Sequence, residues 1–97
     1  MKIDFEWDLS KASSNLRKHG ISFDVAKDVF SDPNALTYRD DFHSNEEDRW
    51  ITIGAVPDQR ILLVVHTEAD TISGNVIIRI ISCRKATRSE RETYEKS

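Results

Sequence analysis

The pattern of apolar and polar residues along the chain predicts five β-strands. They are IDFEW at 3–7, ALTYR at 35–39, RWITIGAV at 49–56, RILLVVHT at 60–67 and VIIRIISCR at 76–84. The fourth segment is almost entirely apolar, which predicts a central strand covered on both faces. Short turns separate the later strands, so we expect consecutive strands to be antiparallel neighbours.

Helical spacing and end signals predict three helices, at 10–19, at about 23–31 and from Thr87 to about Lys96. Asp8 or Ser10 is expected to cap the first helix, and Gly20 suits the left-handed position after it. Ser22 caps the second helix, and Thr87 with Glu90 forms a capping box for the third. The predicted order is β-α-α-β-β-β-β-α. We therefore expect one α+β domain over 1–97, an antiparallel sheet with an N-terminal helical hairpin and a C-terminal helix packed on it.

Strict alternation in the last strand assigns its side chains to two faces. One face would carry Ile77, Arg79, Ile81 and Cys83, and the other Val76, Ile78, Ile80, Ser82 and Arg84. The second set is the more apolar and is expected to lie under the helices. Arg79 would then point to a partly covered face, because a lone cation buried among apolar side chains is costly.

The composition is that of a soluble globular protein, with 38% hydrophobic and 32% charged residues among 97. No apolar run approaches the roughly 20 residues that span a bilayer. The start, MKIDFEWD, has acidic residues where a signal peptide would be apolar, so we expect a cytoplasmic protein with no membrane contact. The single cysteine, Cys83, excludes an internal disulfide and a cysteine-based metal cluster.

The charge is uneven although the total is only −3. Residues 1–75 contain 8 Lys and Arg against 14 Asp and Glu, whereas residues 76–97 contain 6 against 3. A locally basic surface attracts phosphate whatever the total charge. The C-terminal segment is therefore the expected anion-binding part of the chain.

Arginines on or beside the predicted strands are candidate phosphate clamps, because guanidinium offers paired planar donors. They are Arg49, Arg60, Arg79 and Arg84, with His66 and Glu68 as the nearest candidate proton carriers. Each of these residues also has an alternative interpretation as a purely structural residue. Arginines on a sheet are commonly solvated or paired with carboxylates, and a histidine in an apolar strand is commonly a core residue.

The acidic stretch DDFHSNEED at 40–48 could suggest a metal site. Its carboxylates and His43 lack a recognised ligand spacing, so a solvated loop is the preferred interpretation. We expect no metal and no other cofactor.

Four blocks in a fixed order carry a resemblance to a known family. They are FEWDLSKASSNLRKHGISFDVAKDVFSDP, EDRWITIG, LLVVHTE and IRIISCRKATRSERETY. Together they resemble the BrnT family, the toxins of bacterial type II toxin–antitoxin pairs. The resemblance implies a RelE-like fold and a metal-independent ribonuclease that blocks translation. It also implies a partner, the ribbon-helix-helix antitoxin BrnA, which binds operator DNA and represses the operon as a complex.

The resemblance also implies roles for individual residues. Arg49, Arg79 and Arg84 match active-surface positions, while Lys11, Asn15, Lys18 and His19 match the first helix block with less defined roles. The remaining residues expected to bind RNA or antitoxin are Arg60, Lys85, Arg88 and Arg91. Tyr94 is expected to anchor the last helix on the sheet.

Two positions depart from the family pattern. Cys83 replaces a frequent alanine, a change of little consequence, and Ala69 replaces a frequent arginine. If that arginine contacts RNA, this chain is expected to be less active. The alternative function is a non-catalytic module that only pairs with its antitoxin and acts as a co-repressor.

Overall fold

A computed structural model describes residues 2–42 and 47–97 of the chain. Its elements are β1 (Ile3–Glu6), α1 (Leu9–His19), α2 (Phe23–Ala26), a 3-10 helix (Lys27–Ser31), β2 (Leu36–Arg39), β3 (Trp50–Ala55), β4 (Ile61–Asp70), β5 (Val76–Lys85) and α3 (Arg88–Lys96). The predicted second helix thus divides into one α-helical turn and a 3-10 segment. None of the helices in the described ranges has the length and apolar character that a membrane crossing requires.

The five strands form one mixed sheet in the order β1-β5-β4-β3-β2. Strands β2 to β5 form an antiparallel meander, as their short connections predict. The expectation of a wholly antiparallel sheet is wrong at β1, which pairs with β5 in parallel from Ile3 opposite Val76 to Glu6 opposite Arg79. The chain places two helices and three strands between these partners, so no short turn dictates their relative direction.

The helix ends follow the predicted signals. The Asp8 side chain accepts a hydrogen bond from the Lys11 N–H, and Gly20 has a φ of 69° at the end of α1. Ser22 caps α2 through the Val25 N–H. Before α3, Thr87 and Glu90 form the complete capping box. Each helix therefore begins where its side chains satisfy backbone N–H groups that have no partner within the helix.

The two faces of the sheet are covered unequally. The hairpin face, under α1 and α2, contains a large core cluster made of Ile21, Phe23, Ala26, Val29, Val56, Leu62, Val64, Ile78, Ile80 and Cys83. The α3 face contains a smaller one made of Ile53, Leu63 and Ala86, with Ile51, Ile61, Val65 and Tyr94 packed against it. Strand β4 contributes to both clusters, so the prediction of a central strand covered on both sides is confirmed.

Tyr94 anchors α3 as expected. It packs against the α3-face cluster, and its hydroxyl donates to Oδ2 of Asp32, which also accepts from the Ala55 N–H. The carboxylate raises the pKa of Tyr94 to about 12. Burial alone would raise the pKa of Asp32, but the hydrogen bonds that it accepts lower it overall.

A β-bulge in β5 changes which residues share a face. Val65 pairs with Ser82, whereas the next residue of β4, His66, pairs with Ile80, so Ile81 is the extra residue. Such a bulge reverses the alternation beyond it. Cys83 accordingly joins the hairpin-face core, and Arg84 pairs with Leu63 of the α3-face cluster. The predicted face assignment for Ser82, Cys83 and Arg84 is therefore wrong.

Asn15 of α1 completes the free edge of β5 beyond the end of β1. Its Nδ2 donates to the carbonyls of Cys83 (2.9 Å) and Ile21 (3.1 Å), and its Oδ1 accepts from the Cys83 N–H (3.0 Å). The buried amide thus replaces the neighbouring strand that β5 lacks at this point. This contact holds the C-terminal half of α1 against the sheet edge.

Candidate functional site

A groove of about 430 Å³ lies on the α3 face, where α3 does not cover the sheet. It is lined by Lys18, His19, Asp40, Ile51, Leu63, Val65, Ser82, Cys83 and Arg84. We call it the α3-face groove. Its lining combines an apolar floor with cationic and polar side chains at the margins, which is the usual composition of a ligand site.

The strand register explains the floor of this groove. Tyr38, Ile51, Val65 and Ser82 are consecutive partners across β2, β3, β4 and β5. Arg84 is in the adjacent row beside Leu63, while Thr67 and Arg79 pair in the row on the other side. Because the bulge lies between them, Arg79 and Arg84 belong to the same face and flank the central row from opposite sides.

Arg84 forms the strongest polar contact at the groove. Its Nη1 and Nη2 donate to Oε1 and Oε2 of Glu90 at 2.8 and 3.0 Å, and Nη1 also donates to the Lys85 carbonyl at 3.2 Å. The hydrogen bonds from Arg84 lower the pKa of Glu90, and those to Glu90 raise the pKa of Arg84. Both groups are therefore fixed in their charged forms at neutral pH.

Arg79 and Arg49 lie outside the groove lining, beyond the central row of the sheet. Arg79 Nη1 donates to Oε2 of Glu6 at 3.1 Å, and both side chains are about half exposed. Arg49 immediately precedes β3, its Nε lies 3.9 Å from the Glu47 carboxylate, and its carbonyl accepts from the N–H of the groove residue Asp40. The three arginines that match family positions are thus distributed around one surface.

A second, smaller groove of about 170 Å³ continues from the first over the β5 edge. It is lined by Lys11, Ser14, Asn15, Lys18, His19, Ile81 and Ser82. The two grooves share Lys18, His19 and Ser82. The structure therefore places Lys11 and Lys18, predicted from the first helix block, on a path that leads into the α3-face groove.

His66 lies away from this surface. It is 0% exposed on the hairpin face, its Nε2 is 2.7 Å from the Thr52 hydroxyl, and its ring packs edge-on against Phe30. Burial lowers the pKa of His66 to about 4, so the ring is neutral at pH 7. A fully buried imidazole on the opposite face cannot reach a ligand in the groove. The structure therefore supports the core interpretation of His66 over that of a proton carrier.

Glu68 also lies off the groove. Its carboxylate is 3.9 Å from His66 Nδ1, and alternation along β4 places it on the hairpin face with His66. The structure therefore places both candidate proton carriers, His66 and Glu68, on the face opposite Arg79 and outside the groove lining.

The other predicted binding residues are dispersed. Arg60 is in the β3–β4 turn and pairs with Asp58. It precedes Thr67, the strand partner of Arg79, by seven residues along β4, so Arg60 and Arg79 are far apart on the sheet. Lys85 is exposed at the end of β5. On α3, Arg88 pairs with Glu92, and Arg91 donates to the Ala86 carbonyl. These four cations lie outside the groove lining.

Metal binding finds no support in the part of the chain that is described. No three His, Cys, Asp or Glu side chains within 2–42 and 47–97 are grouped as metal ligands. His43 and Glu46 of the acidic stretch lie outside the described residues. Cys83 is buried, and burial raises the pKa of its thiol to about 12, so it is not a reactive thiolate.

Sequence reasoning missed several residues of the site. The sequence assigns Glu90 only to the capping box. Its hydrogen bonds to Arg84 depend on how α3 packs on the sheet, which the sequence does not indicate. Asp40 and Ser82 line the groove, and Tyr38 lies in its central row, only because of how the strands pair. Asn15 was named for its match to the first helix block, but its contacts with Cys83 are made only in the folded chain.

The arrangement can bind and polarise a phosphodiester. Cations around one surface stabilise charge that develops on a phosphorus centre. His19 lines the groove with an imidazole, and Tyr38 supplies a phenol in the central row of the sheet. Burial, and then the nearby Glu90 carboxylate, raise the pKa of Tyr38, so its hydroxyl keeps its proton at neutral pH.

Comparisons with known proteins show the family and the fold of the chain. A family model described as the ribonuclease toxin BrnT of type II toxin–antitoxin systems matches residues 7–90. The crystal structure of the Brucella abortus ribonuclease toxin BrnT is similar, with 21% sequence identity, a TM-score of 0.61, and coverage of 91% of this chain and 100% of that chain. A search of curated protein sequences gave no match. The structural likeness confirms the mixed α+β fold.

Proposed function

This chain belongs to the BrnT family of ribonuclease toxins of type II toxin–antitoxin systems, and we propose that it is an endoribonuclease that cleaves RNA in the α3-face groove. Cleavage proceeds without a metal ion and inhibits translation. One observation carries the proposal: the bulge at Ile81 brings Arg79 to the same face as the groove residue Arg84, on the other side of the row that contains Val65 and Ser82. We also propose, from the resemblance of the four sequence blocks, that the fold belongs to the RelE-like group.

The reaction is attack of a ribose 2′-hydroxyl on the adjacent phosphorus, with loss of the 5′-oxygen of the next nucleotide. Arg79, Arg84 and Arg49 stabilise the extra negative charge of the phosphorane. Lys18 and Lys11 bind phosphates of flanking nucleotides along the smaller groove. A single-stranded substrate fits this role, because its backbone can bend across the β5 edge.

Proton transfer is assigned to His19. This side chain is exposed, lines both grooves, and lies in the last turn of α1 next to Lys18. An imidazole is the side chain best suited to exchange protons near neutral pH. His19 therefore takes the role that the sequence suggested for His66. The His19→Gln variant should lose most of the cleavage rate and remain folded.

Family membership implies an antitoxin partner and an RNA target. We propose that the partner is a BrnA-like ribbon-helix-helix protein that covers the α3-face groove with acidic or carbonyl groups. Operator DNA is then contacted only through the antitoxin. An RNA target of this kind places the activity in the cytoplasm.

The test is cleavage of a defined RNA by the purified chain, with EDTA and without it, and with the protein of the adjacent reading frame. We expect cleavage that persists in EDTA and stops when the antitoxin is added. Complete loss in EDTA, restored by a divalent ion, would contradict the metal-independent mechanism. An antitoxin interface confined to the exposed outer residues of α1, such as Leu9 and Leu16, would contradict the proposed covering of the groove.

A non-catalytic role as antitoxin partner and co-repressor is the second candidate. It is favoured by the ion pairs that already engage two of the arginines, Arg79 with Glu6 and Arg84 with Glu90. The same assay separates the two functions. A chain that binds the antitoxin and leaves every RNA intact, while its expression alone does not arrest growth, is a co-repressor.

A further inference from the structure

The bond between Glu90 and Arg84 crosses from the last helix to the last strand. Glu90 Oε1 accepts two hydrogen bonds of 2.8 Å, one from the Thr87 N–H and one from Arg84 Nη1. Its Oε2 accepts from Arg84 Nη2 at 3.0 Å. One carboxylate thus both caps α3 and holds the guanidinium that borders the groove.

The hydrogen-bond inventory of Arg84 shows which of its edges remains open. A guanidinium has five N–H groups. The Glu90 carboxylate accepts a hydrogen bond from one N–H of Nη1 and from one N–H of Nη2. The Lys85 carbonyl accepts from the second N–H of Nη1. Among the described residues, the Nε–H and the second Nη2–H of Arg84 have no hydrogen-bond partner. These two groups lie side by side on one edge and match the spacing of two phosphate oxygens.

We propose that Glu90 is a positioning residue for the RNA-cleaving site. It holds the end of the Arg84 guanidinium so that the Nε and Nη2 edge is presented to the scissile phosphodiester in the α3-face groove. This inference rests on the proposed ribonuclease function and names how that site takes its substrate.

Two features support a positioning role over simple neutralisation. The capping box holds the Glu90 carboxylate at the start of α3. The carboxylate therefore fixes the position of the Arg84 guanidinium relative to α3, in addition to balancing its charge. The pair is also only partly exposed, so the orientation of Arg84 costs little entropy when the phosphate arrives. An arginine without this support would sample several rotamers over the groove.

The Glu90→Gln variant separates the two roles of this side chain. A glutamine at this helix position retains an oxygen for the Thr87 N–H, so the capping box is kept. Its amide NH2 group is a donor and replaces the carboxylate oxygen that accepts from Arg84 Nη2, so this hydrogen bond is lost. The Thr87→Ala variant is the matched control, because it removes the hydroxyl part of the cap and leaves the carboxylate in place.

The experiment is a double-mutant cycle on single-turnover cleavage of a defined RNA, with enzyme in excess. It uses the wild-type chain, E90Q, R84A, E90Q with R84A, and T87A, at a temperature at which circular dichroism shows every variant to be folded. We expect E90Q to slow cleavage by roughly ten- to a hundredfold in the wild-type background. In the R84A background the same change should have little effect, because the residue through which Glu90 acts is absent.

T87A should melt a few degrees lower, since loss of a cap costs about 1 kcal/mol, yet cleave at nearly the wild-type rate. If E90Q cleaves as fast as the wild type, or slows cleavage equally in both backgrounds, the positioning role is wrong while the ribonuclease function stands. If R84A cleaves like the wild type, Arg84 is not part of the site. If the wild-type chain cleaves no RNA, the proposed function itself fails.

Discussion

The two faces of one sheet differ in almost every physical respect, although the same strands build both. The hairpin face is sealed by α1 and α2 and buries a neutral histidine, His66, with no exposed surface. The α3 face is covered only in part and carries a groove bordered by charged side chains. The comparison teaches that the larger buried core and the proposed site lie on opposite sides of the sheet. A change on one face should affect folding, and a change on the other should affect activity.

The largest expected effect is at the boundary between the faces. Asn15→Ala would leave the Cys83 N–H, the Cys83 carbonyl and the Ile21 carbonyl without their side-chain partner. Each buried unsatisfied group costs about 1–3 kcal/mol, so unfolding free energy should fall by at least about 3 kcal/mol. Urea denaturation measures this. Ser13→Ala, on the exposed side of the same helix, should change stability by less than about 0.5 kcal/mol. Equal stability of the two variants would show that the β5 edge does not depend on Asn15.

On the α3 face the expected loss is in rate. Arg79→Ala should slow RNA cleavage by roughly a hundredfold or more, about 3 kcal/mol of transition-state stabilisation. The fold should persist, because the exposed pair with Glu6 contributes only about 0–1 kcal/mol. Arg79→Lys should rescue in part, since a point charge lacks the paired planar donors.

The control for Arg79 is Arg88→Ala, which removes an exposed cation of α3 outside the groove and should leave cleavage nearly unchanged. Cleavage rates and melting temperatures of all three variants decide the matter. An Arg79→Ala protein that cleaves as fast as the parent would remove Arg79 from the proposed site. One that fails to fold would show that the Glu6 pair is structural.

Acid should weaken the hairpin face first. The pKa of His66 is lowered from 6.5 to about 4 in the folded protein, so its contribution to stability is fully present above pH 6.5. As the pH falls below 6.5, His66 binds a proton in the unfolded chain but not in the folded chain. The free energy of unfolding therefore drops by up to about 3 kcal/mol by pH 4.

Carboxylates add to this loss only at lower pH. The pKa of Glu90 is lowered from 4.5 and that of Asp32 from 3.8, so their contributions disappear below those values. Denaturant unfolding between pH 7 and 4.5 therefore isolates His66. In His66→Gln the slope in that window should vanish. A wild-type protein with constant stability across this range would show that folding does not lower the pKa of His66.

The smallest expected effect concerns close packing on the hairpin face. A Cβ on Gly54 would lie 2.9 Å from Cγ1 of Val29 and 3.2 Å from Cβ of Ala35. Gly54→Ala should therefore cost about 1–3 kcal/mol through overpacking. Combining it with Val29→Ala removes the nearest clash, so the two losses should be less than additive. Strict additivity in urea denaturation would mean that the 3-10 segment simply moves away.

The sequence by itself determined the elements and their ends. Apolar runs and turn residues predicted the strands, and local hydrogen-bonding groups such as Asp8, Ser22 and the Thr87–Glu90 box predicted the helix starts, because these signals act within a few residues of the chain. The order of four sequence blocks also led to the family. The sequence also led to the expectation that Tyr94 anchors the last helix on the sheet, where it packs against the α3-face cluster.

Only the tertiary structure decided which side chains share a site. The parallel pairing of β1 with β5 and the bulge at Ile81 depend on contacts between residues distant in sequence, and neither leaves a local signal. One extra residue in β5 reverses its faces, so it moves Arg84 to the same face as Arg79 and buries Cys83 in the hairpin-face core. The pairing of β4 with β5 likewise places His66 on the face opposite the arginines. The packing of α3 against the sheet brings Glu90 to Arg84. The alternation of a strand has a period of two, and a single irregularity is enough to exchange its core side for its functional side.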